Sequence, residues 1–431
     1  MALHNRILLG LALGALVGVS VNWTMATGTE TSALRQLPAG LEAFIHNGTE
    51  PIGNLWLNAL IMVVIPLVIS TLSLGVAGLG SLARVGRIGG LALVSFLSLT
   101  ALAATLGLLL VNTIRPGTRL DPAIQQGLMD TYKGQADQAM GLASTGLSID
   151  LLVNIVPRNP IRAMADFNML AIIFFALMVG VALTRLAPDK AKPLLTLLES
   201  IAHVTIAIID MVMRVAPYAV ACLIFSVTAR FGFPLLVSLA NYVLTVIGGL
   251  LIFMVVVYPL VLKFIVGRSP AEFFRRARIV IVTAFSTSSS NATLPTTMRV
   301  AQEELKVPNE VAGFVVPLGA TMNMNGTALF EGVTVLFVAQ VFGISLSLDQ
   351  QIVVVLMSVI VAVGAAGVPG GSIPLLMMVL GMVGAPMQGI AIVLGVDRIL
   401  DMCRTTVNVT GDLVTCTVVQ KFSGVKGTTV V

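Results

Sequence analysis

The sequence predicts an all-α polytopic membrane protein, and its composition, its apolar stretches and its distribution of charge all support that class. Of its 431 residues, 57% are hydrophobic and only 10% are charged. Soluble domains carry about a quarter of their residues as charged side chains. A membrane-spanning helix needs about 20 apolar residues, and stretches of that length recur from one end of the chain to the other. We therefore expect the chain to cross a lipid bilayer several times.

The first part of the chain contains six apolar stretches that are long enough to span: 6–25, 54–79, 88–113, 167–186, 199–228 and 234–265. The first stretch follows a short basic segment, as a signal peptide would, but it lacks a clear small-residue cleavage site. We therefore interpret it as a retained helix. Its Gly10, Gly14 and Gly18 are spaced for close approach to another helix, although glycine is also common in membrane helices in general.

Basic residues alternate with the apolar stretches. Clusters precede the first stretch and follow the second, fourth and sixth: His4, Arg6, Arg84, Arg87, Arg185, Lys190, Lys192, Lys263, Arg268, Arg275, Arg276 and Arg278. The other loops balance basic residues with acidic ones. Because lysine and arginine mark the cytoplasmic side, we expect both termini in the cytoplasm. The net charge of +5 then reflects topology and not nucleic-acid binding.

The region from about 270 to 420 is apolar but interrupted by small and polar residues, and it divides into two similar halves. Each half contains a break rich in Ser or Gly, at 287–295 and at 364–374. Paired interruptions of this kind indicate the central site of a transporter, built from re-entrant hairpins and broken helices. Irregular backbone at that depth is stable only where protein or a water-filled cavity surrounds it. We therefore expect the two hairpin tips to meet at a ligand.

The last helix, near 388–420, carries a stripe of polar residues within an arc of roughly 80°: Asp397, Asp401, Arg404, Asn408 and Asp412. A charged side chain at mid-span costs about 2.5–3.5 kcal/mol, so these groups should face one another or a ligand. A self-satisfied network that holds helices together would give the same stripe. Arg398 points away from it, where we expect the side chain to snorkel or to pair locally.

A second polar segment, 321–331, lies within the apolar run 309–341. Gly326 among small polar residues would unwind a helix there and expose its carbonyl groups. Such carbonyls together with a carboxylate make a site for a hard cation, although a glycine kink with satisfied polar groups fits the same pattern. The break at 287–295 offers hydroxyl and N–H groups suited to a carboxylate at a helix N-terminus, but such residues also satisfy backbone groups in membranes.

Together these segments resemble the glutamate/aspartate (dicarboxylate/amino acid)–cation symporter family. Four motifs carry the resemblance: Thr-Leu-Pro at 293–295, Asn-Met-Asn-Gly-Thr at 323–327, Ala-Gly-Val-Pro-Gly at 366–370 and Asp-x-x-x-Asp-x-x-Arg-Thr-x-x-Asn-Val-x-Gly-Asp at 397–412. The resemblance covers nearly the whole chain, and the last motif is highly specific. It implies eight transmembrane helices plus two re-entrant helical hairpins, with inverted repeats, in a homotrimeric, elevator-type transporter gated by the second hairpin.

The resemblance also implies a division of the chain. Residues 1–265 would be mostly scaffold and trimerisation helices, with the third and sixth spans contributing to the transport domain. Residues 266–420 would form the transport core, with two hairpins and two broken or polar helices. Residues 421–431 would be a cytoplasmic tail.

By position, the family's substrate-binding residues correspond to Ser290, Thr327, Val368, Asp401, Arg404, Thr405 and Asn408. Arg404 would hold the side-chain carboxylate of the substrate, a bidentate task that suits guanidinium. Asp401 would hold the α-ammonium group, and Val368 would lie near the gating tip. Members for neutral amino acids lack the arginine, and dicarboxylate members tend to lack the aspartate. The presence of both predicts L-aspartate or L-glutamate as the substrate.

The resemblance likewise implies cation sites. One sodium site matches Gly319, Asn323, Asn408 and Asp412, and a second matches Thr321 and Met324 with carbonyls of the second hairpin. A third family site uses an aspartate where this chain has Asn325, and a tyrosine and a threonine where it offers Phe96 and Leu99. Glu331 stands where some relatives have a proton-carrying glutamate, and a buried carboxyl group can hold a proton near neutral pH.

We therefore predict a changed stoichiometry of about two Na⁺ ions, with H⁺ as a further candidate. The predicted function is secondary active symport: import of an acidic amino acid with Na⁺ by a multi-pass protein of the cell (inner) membrane.

Two alternatives stay open. A proton-driven glutamate or C4-dicarboxylate carrier fits much of the same pattern. An ion channel is a different class, but the chain has no segment suited to a ring-forming selectivity filter. An enzyme is not expected, because the three histidines (His4, His46 and His203) and three cysteines (Cys222, Cys403 and Cys416) are scattered without metal-ligand spacing.

Overall fold

The computed structural model describes residues 3–25, 37–118, 120, 124–126, 128, 156–364, 367 and 370–424. Every regular element within those residues is a helix, as the predicted all-α class requires. Six helical segments among them are long and apolar enough to span a membrane: Asn5–Met25, Ala39–Gly78, Arg87–Ile114, Pro188–Phe231, Phe233–Val266 and Asn309–Val341. The prediction of a polytopic membrane protein is thereby supported by length and composition.

Among the described residues, the helices of the first part of the chain include α1 (Leu3–Met25), α2 (Ala39–Phe44), α3 (Glu50–Met62), α4 (Val64–Val85), α5 (Arg87–Ile114), α6 (Pro160–Ala165), α7 (Met169–Arg185), α8 (Pro188–Phe231), α9 (Phe233–Ile252) and α10 (Tyr258–Leu260). Turns of π-helix join α2 to α3 and extend α9 through α10. The predicted stretch 167–186 forms α7, which has only 17 residues and is short for a full span of about 20.

The described residues of the second part form the α-helices α11 (Pro270–Thr287), α12 (Ser290–Arg299), α13 (Asn309–Met322), α14 (Asn325–Val341), α15 (Leu348–Gly364), α16 (Ile373–Met382) and α17 (Ala391–Ser423). Helix α11 packs against α12, and α15 packs against α16. Both helix–break–helix pairs therefore occur at the predicted interruptions.

Helix α1 lies along α8, and its three glycines face that helix. A side chain at Gly10 or Gly14 would overlap the backbone oxygens of Pro217 and Ala221, and one at Gly18 would overlap the next turns of α8. The interpretation of these glycines as residues for close helix approach is confirmed.

The helices of the first part fall into two groups that pack against different helices. Helices α3 and α4 pack against α8, and α4 also packs against α7. Helices α5 and α9 instead pack against α14 and α17, which contact each other, and α17 also packs against α13. Helix α14 consequently lies at the centre of the molecule, and nearly all of its side chains are buried.

Candidate functional site

The tips of the two hairpins touch each other. Ser289 accepts a hydrogen bond from Ala292 N at 3.1 Å, which caps α12, and its hydroxyl donates to Gly367 O at 2.7 Å. The backbone N–H of Asn291 donates to the same carbonyl at 3.2 Å. Ser288 makes this turn in the left-handed region, with φ of 50°. The prediction that the two breaks converge is confirmed.

A cavity opens beside these tips and is lined by residues from both hairpins, α14 and α17: Ser288, Ser290, Met324, Thr327, Gly367, Ser372, Asp401, Arg404, Thr405 and Asn408. Six of the seven residues predicted to bind substrate lie here. The seventh, Val368, falls outside the described residues. The cavity adds Ser288 and Ser372, whose buried hydroxyl groups make no hydrogen bond to any residue that the structure describes.

Arg404 is the largest charged group in the cavity, and its side chain is only 1% exposed. Its Nη1 donates to Asp397 Oδ1 at 2.8 Å, and its Nε donates to Asp401 Oδ1 at 3.0 Å. The guanidinium carbon lies 4.2 Å from the ring centroid of Phe330, a cation–π contact. The Nη2 atom lies 3.0 Å from Asp401 Oδ1 without forming a hydrogen bond to a described residue. Arg404 therefore retains donor capacity for a ligand.

Asp401 connects the polar stripe of α17 with the second hairpin. Its Oδ1 faces Arg404, whereas its Oδ2 accepts a hydrogen bond from Gly370 N at 3.2 Å. Arg398 Nη1 lies 3.6 Å from the same Oδ2, so Arg398 pairs locally, as one of the two sequence expectations had it. Asp397, which the sequence placed on the stripe without a role, shares Arg404 with Asp401.

The helix break between α13 and α14 falls at residues 323–324, and not at Gly326 as expected. Gly326 lies in the first turn of α14, where an added Cβ would overlap the backbone of Arg404. The absence of a side chain at Gly326 therefore permits α14 and α17 to cross closely. The prediction that Gly326 unwinds the helix is wrong.

Asn408 satisfies backbone N–H groups at the N-terminus of α14. Its Oδ1 accepts hydrogen bonds from Gly326 N at 2.7 Å and from Thr327 N at 3.3 Å. Its Nδ2 lies 3.1 Å from Thr327 Oγ1 and 3.2 Å from Met324 Sδ. The side chain thus acts as an N-terminal cap from a neighbouring helix, and it fixes Thr327 and Met324 beside the cavity.

The candidate cation site lies at the same break. Asn323 Nδ2 donates to Asp412 Oδ1 at 2.9 Å, and the Asp412 carboxylate lies directly against Gly319. Asn323 Oδ1 is buried and accepts no hydrogen bond from the described part of the chain. The side chain of Thr321 is exposed, and its hydroxyl donates to Leu318 O at 3.0 Å. Its backbone carbonyl and the lone pairs of that hydroxyl are the oxygen ligands that Thr321 offers.

This donor set suits a hard cation. A carboxylate with amide and backbone oxygens is the chemistry that alkali and alkaline-earth ions prefer. No group of three or more His, Cys, Asp or Glu side chains that could hold a metal occurs in the described ranges, so the arrangement does not resemble a transition-metal centre.

Asn325 is buried in a neutral hydrogen-bonded network. Thr100 Oγ1 donates to Asn325 Oδ1 at 2.9 Å, Asn325 Nδ2 donates to Tyr258 OH at 3.0 Å, and that hydroxyl donates to a backbone carbonyl of α17 at 2.8 Å. The family resemblance placed Phe96 and Leu99 of α5 at the third cation site, and both side chains are buried. It missed Thr100, the residue of α5 whose hydroxyl bonds to Asn325.

Glu331 lies in the middle of α14 and is 0% exposed. Neither of its carboxylate oxygens forms a hydrogen bond of good geometry to a described residue, and the buried hydroxyl of Ser358 on α15 lies close enough to interact with them. Burying an ionised carboxylate without a partner is far costlier than burying the neutral acid. These surroundings suit a side chain that carries a proton.

The fold, the paired breaks and the polar stripe together define a membrane transporter, and the chain belongs to the sodium:dicarboxylate symporter family, whose model matches residues 3–422. The family consists of transporters and not of enzymes. The resemblance predicted from the motifs is thereby confirmed.

Relatives with assigned activities cover most of the chain. It is 35% identical over 427 residues to the proton/sodium-glutamate symport protein of Bacillus subtilis (strain 168), which spans 98% of this chain and 93% of that protein. It is 36% identical over 379 residues to the proton/glutamate-aspartate symporter of Escherichia coli (strain K12), with 88% and 86% covered. A C4-dicarboxylate transport protein of Rhodospirillum rubrum is 33% identical over 388 residues, with 88% and 84% covered.

Proposed function

We propose that this chain is a secondary active symporter that imports an acidic amino acid, L-aspartate or L-glutamate, together with cations. The observation that carries the proposal is the pairing of Arg404 with Asp401 in one buried cavity between the hairpin tips. A substrate with two carboxylates and one ammonium group needs both charges. The names of the relatives, two of them glutamate or glutamate–aspartate symporters, support the same substrate class.

The residues divide the binding task. Arg404 binds the side-chain carboxylate through its free donor capacity, and Asp401 binds the α-ammonium group. Hydroxyl and amide groups at the edge of the cavity orient the substrate: Ser290, Thr327, Thr405 and Asn408. Val368 stays part of the proposed substrate site on the strength of the sequence resemblance alone, because it is outside the described residues.

Sodium coupling uses the break between α13 and α14. Asp412 and the unpartnered Asn323 Oδ1 supply oxygen ligands for one ion, and backbone carbonyls near Gly319 and Asn408 complete it. A second ion binds near Met324 and the carbonyl of Thr321. The neutral network around Asn325 supports a count of about two Na⁺.

Two ions supply enough energy for uptake. A tenfold sodium gradient contributes about 1.4 kcal/mol per ion, and one net positive charge moved through 100 mV contributes about 2.3 kcal/mol. Two Na⁺ with a monoanionic substrate therefore supply about 5 kcal/mol, enough for accumulation of several thousandfold. A proton carried by Glu331 could accompany the two sodium ions or replace one of them. A proton-driven glutamate carrier is therefore the second candidate.

The transport cycle we propose is an elevator movement within a homotrimer of the cell (inner) membrane, with eight spans, two re-entrant hairpins, inverted repeats and both termini in the cytoplasm. Residues 1–265 form most of the scaffold, residues 266–420 form the transport core and residues 421–431 form a tail. The packing of α5 and α9 against α14 and α17 supports the assignment of those two spans to the moving unit.

The test is uptake of labelled L-aspartate into liposomes that contain the purified protein. One arm imposes an inward sodium gradient, and the other imposes an inward proton gradient without sodium. We expect uptake in the sodium arm, with a weaker sodium dependence in Asp412→Asn. Uptake only in the proton arm would support the proton-driven carrier and move the coupling to Glu331. An unchanged sodium response in Asp412→Asn would remove that residue from the ion site.

Succinate uptake in the same liposomes tests the remaining transport candidate, a C4-dicarboxylate carrier. A C4-dicarboxylate carrier would take up succinate in preference to aspartate. Steady currents without substrate that do not saturate at millimolar ion would instead favour a channel.

A further inference from the structure

Arg398 is a charged residue of α17 that the binding site does not use. Its Nη1 lies 3.6 Å from Asp401 Oδ2, and its side chain is 20% exposed. Its Nε is buried and forms no hydrogen bond within the described part of the chain. The guanidinium is therefore partly buried, with Asp401 as its paired acidic group and with one buried N–H that has no partner among the described residues.

Asp401 separates two cavities. One is the proposed substrate cavity, which also contains Arg404. The other lies on the opposite side of Asp401, between α17 and the apolar wall formed by α1, α3 and α8, where Trp56 and Val220 face Arg398. Arg398 thus approaches the carboxylate from the side that the substrate does not enter.

The charges on α17 balance only when Arg398 is counted. Asp397 and Asp401 share one cation, Arg404, so these three residues leave one negative charge in excess. Arg398 cancels that excess. Apart from Asp397, Arg398 and Asp401 of α17, the described residues that line the second cavity include no titratable side chain, and the group that faces Asp401 from the second hairpin is the neutral Gly370 N–H.

This balance changes when substrate arrives. The substrate's carboxylate competes with Asp397 and Asp401 for the guanidinium of Arg404, which weakens the support that Asp401 receives from it. An acidic group that loses its cation inside a protein is more readily protonated. A protonated Asp401 would no longer attract an ammonium group.

We propose that Arg398 is a positioning residue that keeps Asp401 an ionised carboxylate, from the side opposite the substrate, and so makes it available to the substrate's ammonium group. The proposal rests on the proposed function, in which Asp401 binds that group. It assigns Arg398 to substrate affinity and not to the snorkelling that its place outside the polar stripe also allowed.

The experiment measures binding of labelled L-aspartate to the full-length protein at fixed sodium, from about pH 5 to about pH 8. Arg398→Gln should move the loss of affinity on the acid side upward by about one pH unit, so that binding weakens about tenfold in that range and returns toward the wild-type value at higher pH. Arg398→Lys, which keeps the charge, should restore most of the wild-type profile.

Arg162→Gln is the matched control, because Arg162 also pairs with an aspartate of its own segment, Asp166, at 3.4 Å but on the exposed surface. It should leave the profile unchanged. If Arg398→Gln weakens binding by the same factor at every pH, or if Arg398→Lys fails to restore the profile, Arg398 only fills space and the proposal is wrong.

Two further arms separate this proposal from its premises. The shift should persist in a Glu331→Gln background; if it disappears there, the titrating group is Glu331 and not Asp401. If the wild-type protein transports aspartate and Arg398→Gln keeps its pH profile, this inference fails while the proposed function stands. If the wild-type protein binds no acidic amino acid, both fail.

Discussion

The first and the last of the six spanning segments are both long apolar helical segments, but their surroundings differ. In Asn5–Met25 only 22% of the most apolar window is buried inside the protein, whereas in Asn309–Val341 the figure is 94%. The buried segment is the less apolar one, with a mean hydropathy of 1.3 against 1.8. Of these two segments, the one enclosed by protein is therefore the one that carries the polar groups.

The contrast follows from the cost of polar groups in lipid. Leu13 and Leu16 of α1 are exposed on the surface of the chain, and in a bilayer a side chain that faced hydrocarbon there would have to be apolar, because polar groups are expensive in lipid. Helix α14 is enclosed by protein, so Asn325 and Thr327 find hydrogen-bond partners on neighbouring helices. Enclosure makes the polar site stable, and it also means that removing one partner leaves another group unsatisfied inside the protein.

Arg404→Ala should have the largest effect of any single change in the enclosed region. It removes the cation that Asp397 and Asp401 share, and breaking a buried ion pair costs about 3–5 kcal/mol. We expect aspartate binding to fall by at least about a hundredfold, together with a lower melting temperature. Equilibrium binding and thermal unfolding in detergent measure the two effects separately.

Arg404→Lys is the control for that loss. It keeps the positive charge between the two aspartates, so the melting temperature should recover while binding stays weak, because an ammonium group cannot reproduce the planar fork of guanidinium. Intact aspartate binding in Arg404→Ala would show that the carboxylate is held elsewhere.

Asp401→Ala should separate substrate classes. Without the carboxylate, the ammonium group of aspartate loses its partner, and we expect affinity for aspartate to fall by about ten- to a hundredfold. Succinate has no ammonium group, so its binding should be spared. Competition of each compound against a labelled ligand gives the ratio, and unchanged aspartate transport in this variant would make the site assignment wrong.

Glu331→Gln should alter coupling more than folding. Glutamine has nearly the shape of a protonated glutamate, so the melting temperature should stay close to that of the wild type. Any uptake that a proton gradient drives in the wild type should disappear in this variant, while uptake driven by sodium should persist. Proton-driven uptake at the wild-type rate in this variant would exclude Glu331 as the proton carrier.

The sequence predicted the parts of this arrangement that depend on one helix at a time. The stripe on α17 follows from helical periodicity alone, and the two breaks follow from composition, so Arg404, Asp401 and the hairpin tips were found. The positions that were wrong or missed depend on how two helices meet. Thr100 bonds to Asn325 because of the rotation of α5 against α14, and Gly326 serves a close crossing with α17.

Neither of these facts can be obtained from spacing within one segment. For the same reason, the sequence predicted only snorkelling or a local ion pair for Arg398. Its significance comes from the apolar wall of α8 on one side and from Asp401 on the other, and the sequence does not state which helix lies opposite.

A matched pair of tyrosines tests the contrast between the two regions with the smallest chemical change. Tyr258 is fully buried, accepts a hydrogen bond from Asn325 Nδ2 and donates one to a carbonyl of α17. Tyr218 on α8 is 72% exposed. Tyr258→Phe should cost about 1–2 kcal/mol of stability, since two buried groups lose their partner, whereas Tyr218→Phe should change stability by less than about 0.5 kcal/mol.

Thermal or denaturant unfolding of the two variants in the same detergent gives the comparison directly. Equal and small effects would mean that the network around Asn325 is not a source of stability, and that water or an ion replaces the lost hydroxyl. A large effect at Tyr258 alone would show that the neutral network holds α14 against α17. Hydrogen bonds within that network, and not a bound cation, would then keep Asn325 in its position.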